Sequence, residues 1–185
     1  MAPFPDLSSN LNSTRVRWLA LAWVAACWAA AHDASAAASA HRSRWAGVVT
    51  YVVDGDSVYV RPLQGGKPVS VRVDGIDAPE ICQTGGDAAR EAMKRRVLGR
   101  QVVVDGRSRD DYGRLLGKIL LGGDDVGERM VMEGHAWSYR YRGRGGPYAA
   151  QQQVAESARR GIFANTATPA VYPTVFRKQY GACPH

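Results

Sequence analysis

From Arg44 onward the chain alternates apolar and polar positions in short runs, each closed by turn-forming residues. Residues 44–53 and 57–63 are rich in β-branched and aromatic side chains and flank Asp54-Gly55-Asp56, a pattern that predicts a hairpin. A second turn, Gln64-Gly65-Gly66-Lys67-Pro68, precedes a strand over 69–76. In it Val69, Val71 and Val73 share one face, and Ser70, Arg72 and Asp74 share the other. Gly75 interrupts this alternation as a β-bulge would, re-aiming the acidic residues after it. The period then becomes helical. Ala88, Ala89, Ala92, Met93 and Val97 form a stripe within 87–98, and Gly99 ends it. Residues 101–104 and 115–121 give two more strands around a turn at 110–114. A short helix is expected over 126–133, stopped by Gly134. A last helix spans 147–160, with Pro147 at its start and Gly161 just past its end. Residues 140–146 read as a loop, and the tail containing Pro169, Pro173 and Pro184 reads as irregular. Five strands split by one helix and followed by two more predict an α+β, mainly β, fold: a five-stranded OB-type barrel with three helices.

The first forty residues have another character. Arg15 and Arg17 flank the apolar run 18–31, and small residues follow with cleavage-like spacing from Ala36 to Ala40. The run is short and alanine-rich for a membrane span, so residues 1–40 are expected to be a cleaved export signal. Val24-Ala25-Ala26-Cys27 resembles a lipidation site, but the apolar run continues beyond Cys27. Residues 41–185 then have the length of one ordinary domain, expected as a monomer in the periplasm or outside the cell. The formal charge is +7 and survives loss of the signal, because Arg15 and Arg17 offset Asp6 and Asp33. Much of the excess is arginine, the better bidentate partner for phosphate. Such a protein is drawn to polyanions, and charge alone does not choose among nucleic acid, lipid head groups and acidic polysaccharide. Cys82 and Cys183 remain as an even pair, expected to form a disulfide in an oxidising compartment.

Three segments carry candidate chemistry: Asp54-Gly55-Asp56-Ser57, Arg72 to Glu80, and Asp110-Asp111-Tyr112-Gly113-Arg114. Asp56 and Asp77 are hard oxygen ligands, Glu80 is a candidate base, and Arg72 with Arg114 form a guanidinium pair. Phosphodiester cleavage at neutral pH needs these parts. Each also has a plain structural reading. Asp54-Gly55-Asp56 suits a turn, Arg72 a solvated strand face, Glu80 a loop surface, and Arg114 an ion pair with Asp110 or Asp111. Their joint occurrence in this order favours the chemical reading. His41, His135 and His185 lack metal-ligand spacing, and no serine or cysteine stands in a nucleophile motif.

Through these motifs, residues 47–163 resemble the staphylococcal nuclease (thermonuclease) family. The carrying segments are D-G-D-S-V at 54–58, R-V-D-G-I-D-A-P-E at 72–80, D-D-Y-G-R at 110–114 and Gly161-Ile162-Phe163. The resemblance implies Ca2+ held by Asp56, Asp77 and the backbone carbonyl of Ala78, a loose oxygen-rich site that suits calcium better than magnesium. It implies a water-activating Glu80, phosphate-binding Arg72 and Arg114, and a nucleotide pocket bordered by Tyr112. The implied reaction cleaves DNA and RNA at the 5′ P–O bond, leaving 3′-phosphates. One of the rings of Trp137, Tyr139 and Tyr141 is expected to stack on a base, and the sequence does not choose among them. Ser57 and Ala78 stand where threonine occurs in members of the family. Asp111 stands where the staphylococcal enzyme has lysine, which implies weaker 3′-phosphate binding. The alternative function is a non-catalytic OB-type nucleic-acid-binding module. Asp56, Asp77 and Glu80 speak against it, since they repel phosphate unless a cation intervenes.

Overall fold

Strand β1 (Ser43–Val52) pairs antiparallel with β2 (Ser57–Pro62) on one side and β5 (Gln101–Arg109) on the other. The computed structural model describes residues 43–139, 145–181 and 183, all within the unit His41–His185. β3 (Val69–Val73) pairs with β2, and β6 (Leu115–Leu121) pairs with β5, both antiparallel. Parallel pairing of β3 with β6, Val71 opposite Leu115, closes the five strands into a barrel. Its interior holds Val49, Val52, Val58, Val60, Val71, Val73, Val102, Val104 and Ile119, none more than 2% exposed. β-Branched side chains fit a pleated, half-buried surface, so composition and closure agree. Register shifts between Val49 and Tyr51 and between Gly106 and Ser108 bend β1 and β5 around the barrel. β5 therefore runs past Val104, where the alternation had placed its end, to Arg109.

Helix α1 (Gly86–Val97) buries Gly86, Ala89, Ala92, Met93 and Val97. Ala88, expected in that stripe, is exposed because it lies at the margin of the buried face. Asp87 in the first turn and Lys94, Arg95 and Arg96 in the last complement the helix dipole. β7 (Asp124–Asp125) extends β6 and leads into α2 (Val126–Met132), where Asp125 Oδ1 caps the N–H groups of Gly127 and Glu128. α3 (Ala149–Ser157) is shorter at both ends than expected.

Two expectations need correction. The tail is not irregular: with α4 (Pro173–Tyr180) the described residues hold four α-helices where three were expected. Pro173 starts that helix, since a first-turn proline loses no intrahelical hydrogen bond. Gly75 is not a bulge within a continuing strand. It lies in a turn at φ +82°, after which β4 (Ile76–Asp77) leaves the barrel and pairs with β8 (Trp137–Ser138). Among the described residues, no helix is long and apolar enough to cross a membrane. The expected export signal, residues 1–40 with Cys27, lies outside the described residues.

Candidate active site

The Asp54-Gly55-Asp56 turn joins β1 to β2 at one end of the barrel. Asp54 Oδ1 accepts the Asp56 N–H at 2.9 Å, the local bond that makes Asx turns favourable. Gly55 lets this turn pack tightly: a Cβ there would lie 2.6 Å from Ala78 Cβ and 2.7 Å from Ala89 Cβ. The turn therefore rests on α1 and on the segment following β4. That contact is sealed by Asp56 Oδ2, which accepts the Ala78 N–H at 2.8 Å.

Between the two acidic segments lies Arg72. Its Nη1 is 2.8 Å from Asp56 Oδ2, and its Nη2 is 3.0 Å from Asp77 Oδ1. Ser57 donates its hydroxyl to Asp56 Oδ1 at 3.0 Å, and Arg114 Nη1 donates to Ser57 Oγ at 3.4 Å. Arg114 is steadied from behind: Asp110 Oδ2 lies 2.8 Å from its Nε, and Asp110 Oδ1 accepts the N–H groups of Tyr112 and Arg114. The three motifs thus converge on one hydrogen-bonded chain, Arg114–Ser57–Asp56–Arg72–Asp77. The plain structural reading of Arg114 holds, since it pairs with Asp110.

Electrostatically the site is short of positive charge. Asp77 is 1% exposed, and its Oδ2 has no hydrogen-bond partner. Burial first, and then the Asp56 charge, push its pKa up to about 6, although Arg72 and Arg177 pull the other way. Burial and Asp56 push Asp54 up to about 7. Burial lowers the Arg72 pKa, but the attraction of Asp56, Asp77 and Asp54 more than offsets that. Two carboxylates share one guanidinium, Asp54 stands close by, and the buried Asp77 Oδ2 has no hydrogen-bond partner. A divalent cation fits that donor set. Among the described residues, no three His, Cys, Asp or Glu side chains form a ready metal cage. A bound cation would therefore need carbonyl, water or phosphate oxygens to complete its shell.

Glu80 follows Ala78 and Pro79 and forms an ion pair with Arg177 of α4. Gln83 and the Cys82–Cys183 disulfide fasten the same loop to the tail. Tyr112 is 84% exposed, with the Arg114 guanidinium 5.3 Å above its ring. Tyr139 is partly exposed and donates its N–H to Gly75 O at 2.9 Å. Trp137 is buried against Phe163 and Tyr172, so it is unavailable for stacking. Tyr141 lies outside the described residues. Asp54, Ser57, Asp110, Gln83 and Arg177 were not among the site candidates. The first three had a signal in their places within or beside the motifs, whereas Gln83 and Arg177 had none.

Residues 70–165 match the sequence profile of a family described as "Staphylococcal nuclease homologue". The chain is 39% identical over 107 residues to Protein ParB of Escherichia coli, covering 53% of this chain and 59% of that protein. It is 36% identical over 120 residues to an "Uncharacterized endonuclease" of Escherichia coli, covering 64% and 77%. It is 36% identical over 107 residues to "Micrococcal nuclease" of Shigella flexneri, covering 53% and 60%. The chain spans less than two thirds of the first and third of these relatives.

Proposed function

The chain belongs to the staphylococcal nuclease homologue family, and on that premise we propose that it is a divalent-cation-dependent nuclease, with calcium as the cation. The observation that carries this reading is the buried Asp56–Asp77 pair around Arg72, with half-buried Asp54 beside it and Asp77 Oδ2 without a hydrogen-bond partner. A binding module has no use for such a costly arrangement beside a basic surface. Asp56, Asp77 and the carbonyl of Ala78 would hold the cation. When bound, it supplies Lewis-acid polarisation of a phosphoryl oxygen and offsets the charge of the carboxylates.

The other steps fall to the chain itself. Glu80 takes a proton from the attacking water as general base. Arg72, oriented by Asp56 and Asp77, holds the scissile phosphate. Arg114, backed by Asp110, stabilises the negative charge that accumulates on the phosphorane-like transition state. Tyr112 presents an exposed ring for the nucleotide, with Tyr139 and Tyr141 as further stacking candidates. The substrate is DNA or RNA, cut at the 5′ P–O bond to leave 3′-phosphates. The disulfide supports an oxidising compartment, in keeping with export of residues 41–185 as a monomer.

The test is digestion of plasmid DNA and RNA with calcium, with magnesium, and with chelator, followed by end-group analysis. Calcium-dependent cleavage to 3′-phosphate ends is expected. Binding without cleavage in every cation would point to the non-catalytic module instead.

A further inference from the structure

The family match stops at residue 165, yet the loop bearing Glu80 is held from beyond that point. Three separate ties converge on residues 80–83. Arg177 pairs with the Glu80 carboxylate. The Gln83 side chain accepts the Glu80 N–H at 3.1 Å and donates to the Val171 carbonyl. Cys82 is disulfide-bonded to Cys183, and its N–H donates to Cys183 Sγ at 3.1 Å. Helix α4 is also seated at its start. The Tyr172 hydroxyl donates to Ser138 O at 3.2 Å, and its ring packs 4.9 Å from Trp137, beside the β4–β8 ladder that carries Asp77. The tail is thus anchored at Val171 and Tyr172 before the helix and at Cys183 after it, and Arg177 reaches Glu80.

We propose that Arg177 is a positioning residue for Glu80, and that the tail clipped by Cys82–Cys183 completes an active site which the matched domain leaves open. This role rests on the nuclease reading above. The physical need is plain. A glutamate on a loop has three side-chain torsions, and ordering them costs free energy at every turnover unless a partner has already done so. A base must meet its water within a few tenths of an ångström to be effective. An ion pair through Oε1 fixes the carboxylate while the second oxygen accepts the proton. Arg72 and Arg114 are committed elsewhere, to Asp56 with Asp77 and to Asp110. Among the described residues, Arg177 is the cation paired with Glu80. The disulfide keeps it close, because the two cysteines stand 101 residues apart in the chain.

The experiment measures kcat and KM for wild type, Arg177→Ala, Arg177→Lys and the Cys82→Ser/Cys183→Ser pair, with hydrogen exchange of the same four proteins. Arg177→Ala should lower kcat about tenfold to a hundredfold, the range typical of partners that orient a reacting group. KM and melting temperature should stay near wild type, and Arg177→Lys should recover part of the loss. In the paired serine variant the amides of Ile81 to Gln83 should exchange faster while the barrel strands stay protected. Full kcat in Arg177→Ala beside an active wild type overturns the positioning role and leaves the nuclease reading standing. A raised kcat would make α4 an inhibitory latch, and a raised KM with unchanged kcat would make Arg177 a substrate contact; either overturns the proposal. Wild type inactive in every cation overturns the nuclease reading itself, and this role with it.

Discussion

The Ala78 N–H donates to Asp56 Oδ2 at 2.8 Å, joining segments 22 residues apart. Asp56 is therefore both a candidate ligand and the clasp between the two acidic motifs, whereas Asp77 holds Arg72 through Oδ1 and leaves Oδ2 without a hydrogen-bond partner.

The two carboxylates should respond differently to replacement. Asp56→Ala strands the Ala78 N–H, the Ser57 hydroxyl and one arm of Arg72, and each orphaned buried group costs about 1–3 kcal/mol. Asp77→Asn removes a charge that burial already disfavours and should cost less stability than Asp56→Ala. Urea unfolding without metal ranks the two. Both variants should lose calcium-dependent cleavage, and calcium should no longer raise their melting temperatures. Retained cleavage by Asp77→Asn in the presence of chelator would remove the cation from the mechanism.

Arg114→Lys keeps the charge but loses the planar fork that serves Asp110 and Ser57 together. Its kcat should fall about a hundredfold, equivalent to roughly 2.7 kcal/mol of transition-state stabilisation. Arg72→Lys should lose at least as much, because one ammonium cannot span Asp56 and Asp77. Steady-state kinetics on a short oligonucleotide reads both. Near-wild-type turnover in both would place these arginines outside the reaction.

Reduction of Cys82–Cys183 should lower stability through the unfolded chain. A closed loop of this length restricts the denatured ensemble by up to about 4–5 kcal/mol in the chain-entropy model. Denaturant midpoints with and without reductant measure it, with the paired serine variant as the control that reductant should leave unchanged.

His135 gives a pH signature. Burial first, with Arg95 and Arg96, holds its imidazole below the ordinary 6.5 against the pull of Glu133. The unfolded chain then takes up the proton before the folded one does. Stability is therefore lost as pH falls through 6.5 towards the folded-state value, and is unaffected by His135 well above 6.5. His135→Gln should lose less stability than wild type between pH 8 and pH 5, read from urea midpoints at each pH. An identical loss in both proteins would mean that His135 titrates alike folded and unfolded.

The barrel was legible because its strands repeat with period two, and the motifs because turn chemistry and charge coincide over a few residues. Asp54-Gly55-Asp56 is readable as a turn before any chemistry is considered. β4 and β8 were not legible, since two-residue ladders carry no period and this one pairs Ile76 with Ser138 and Asp77 with Trp137, far apart in the chain. α4 was hidden because the prolines of the tail read as breakers, whereas Pro173 initiates the helix. Arg177 and Gln83 were invisible for a related reason: they reach Glu80 and Val171 across 97 and 88 residues, and no local pattern encodes such contacts. Trp137 was grouped with the stacking rings because ring type does not report burial.

Gly55, Ala78 and Ala89 set a hydrocarbon ruler beneath the ionic site. With no Cβ at 55, the turn bearing Asp56 descends until it meets the two methyl groups, and no deeper. The closest approach of the acidic segments, and so the smallest gauge of any ion they share, is limited by carbon packing, while the Asp56–Ala78 hydrogen bond and the Arg72 bridge hold them there. Such a gauge does not yield when carboxylates lose or gain protons, or when an ion arrives or leaves. It would yield to one added methyl group at position 55, far smaller than any change to the charges above it.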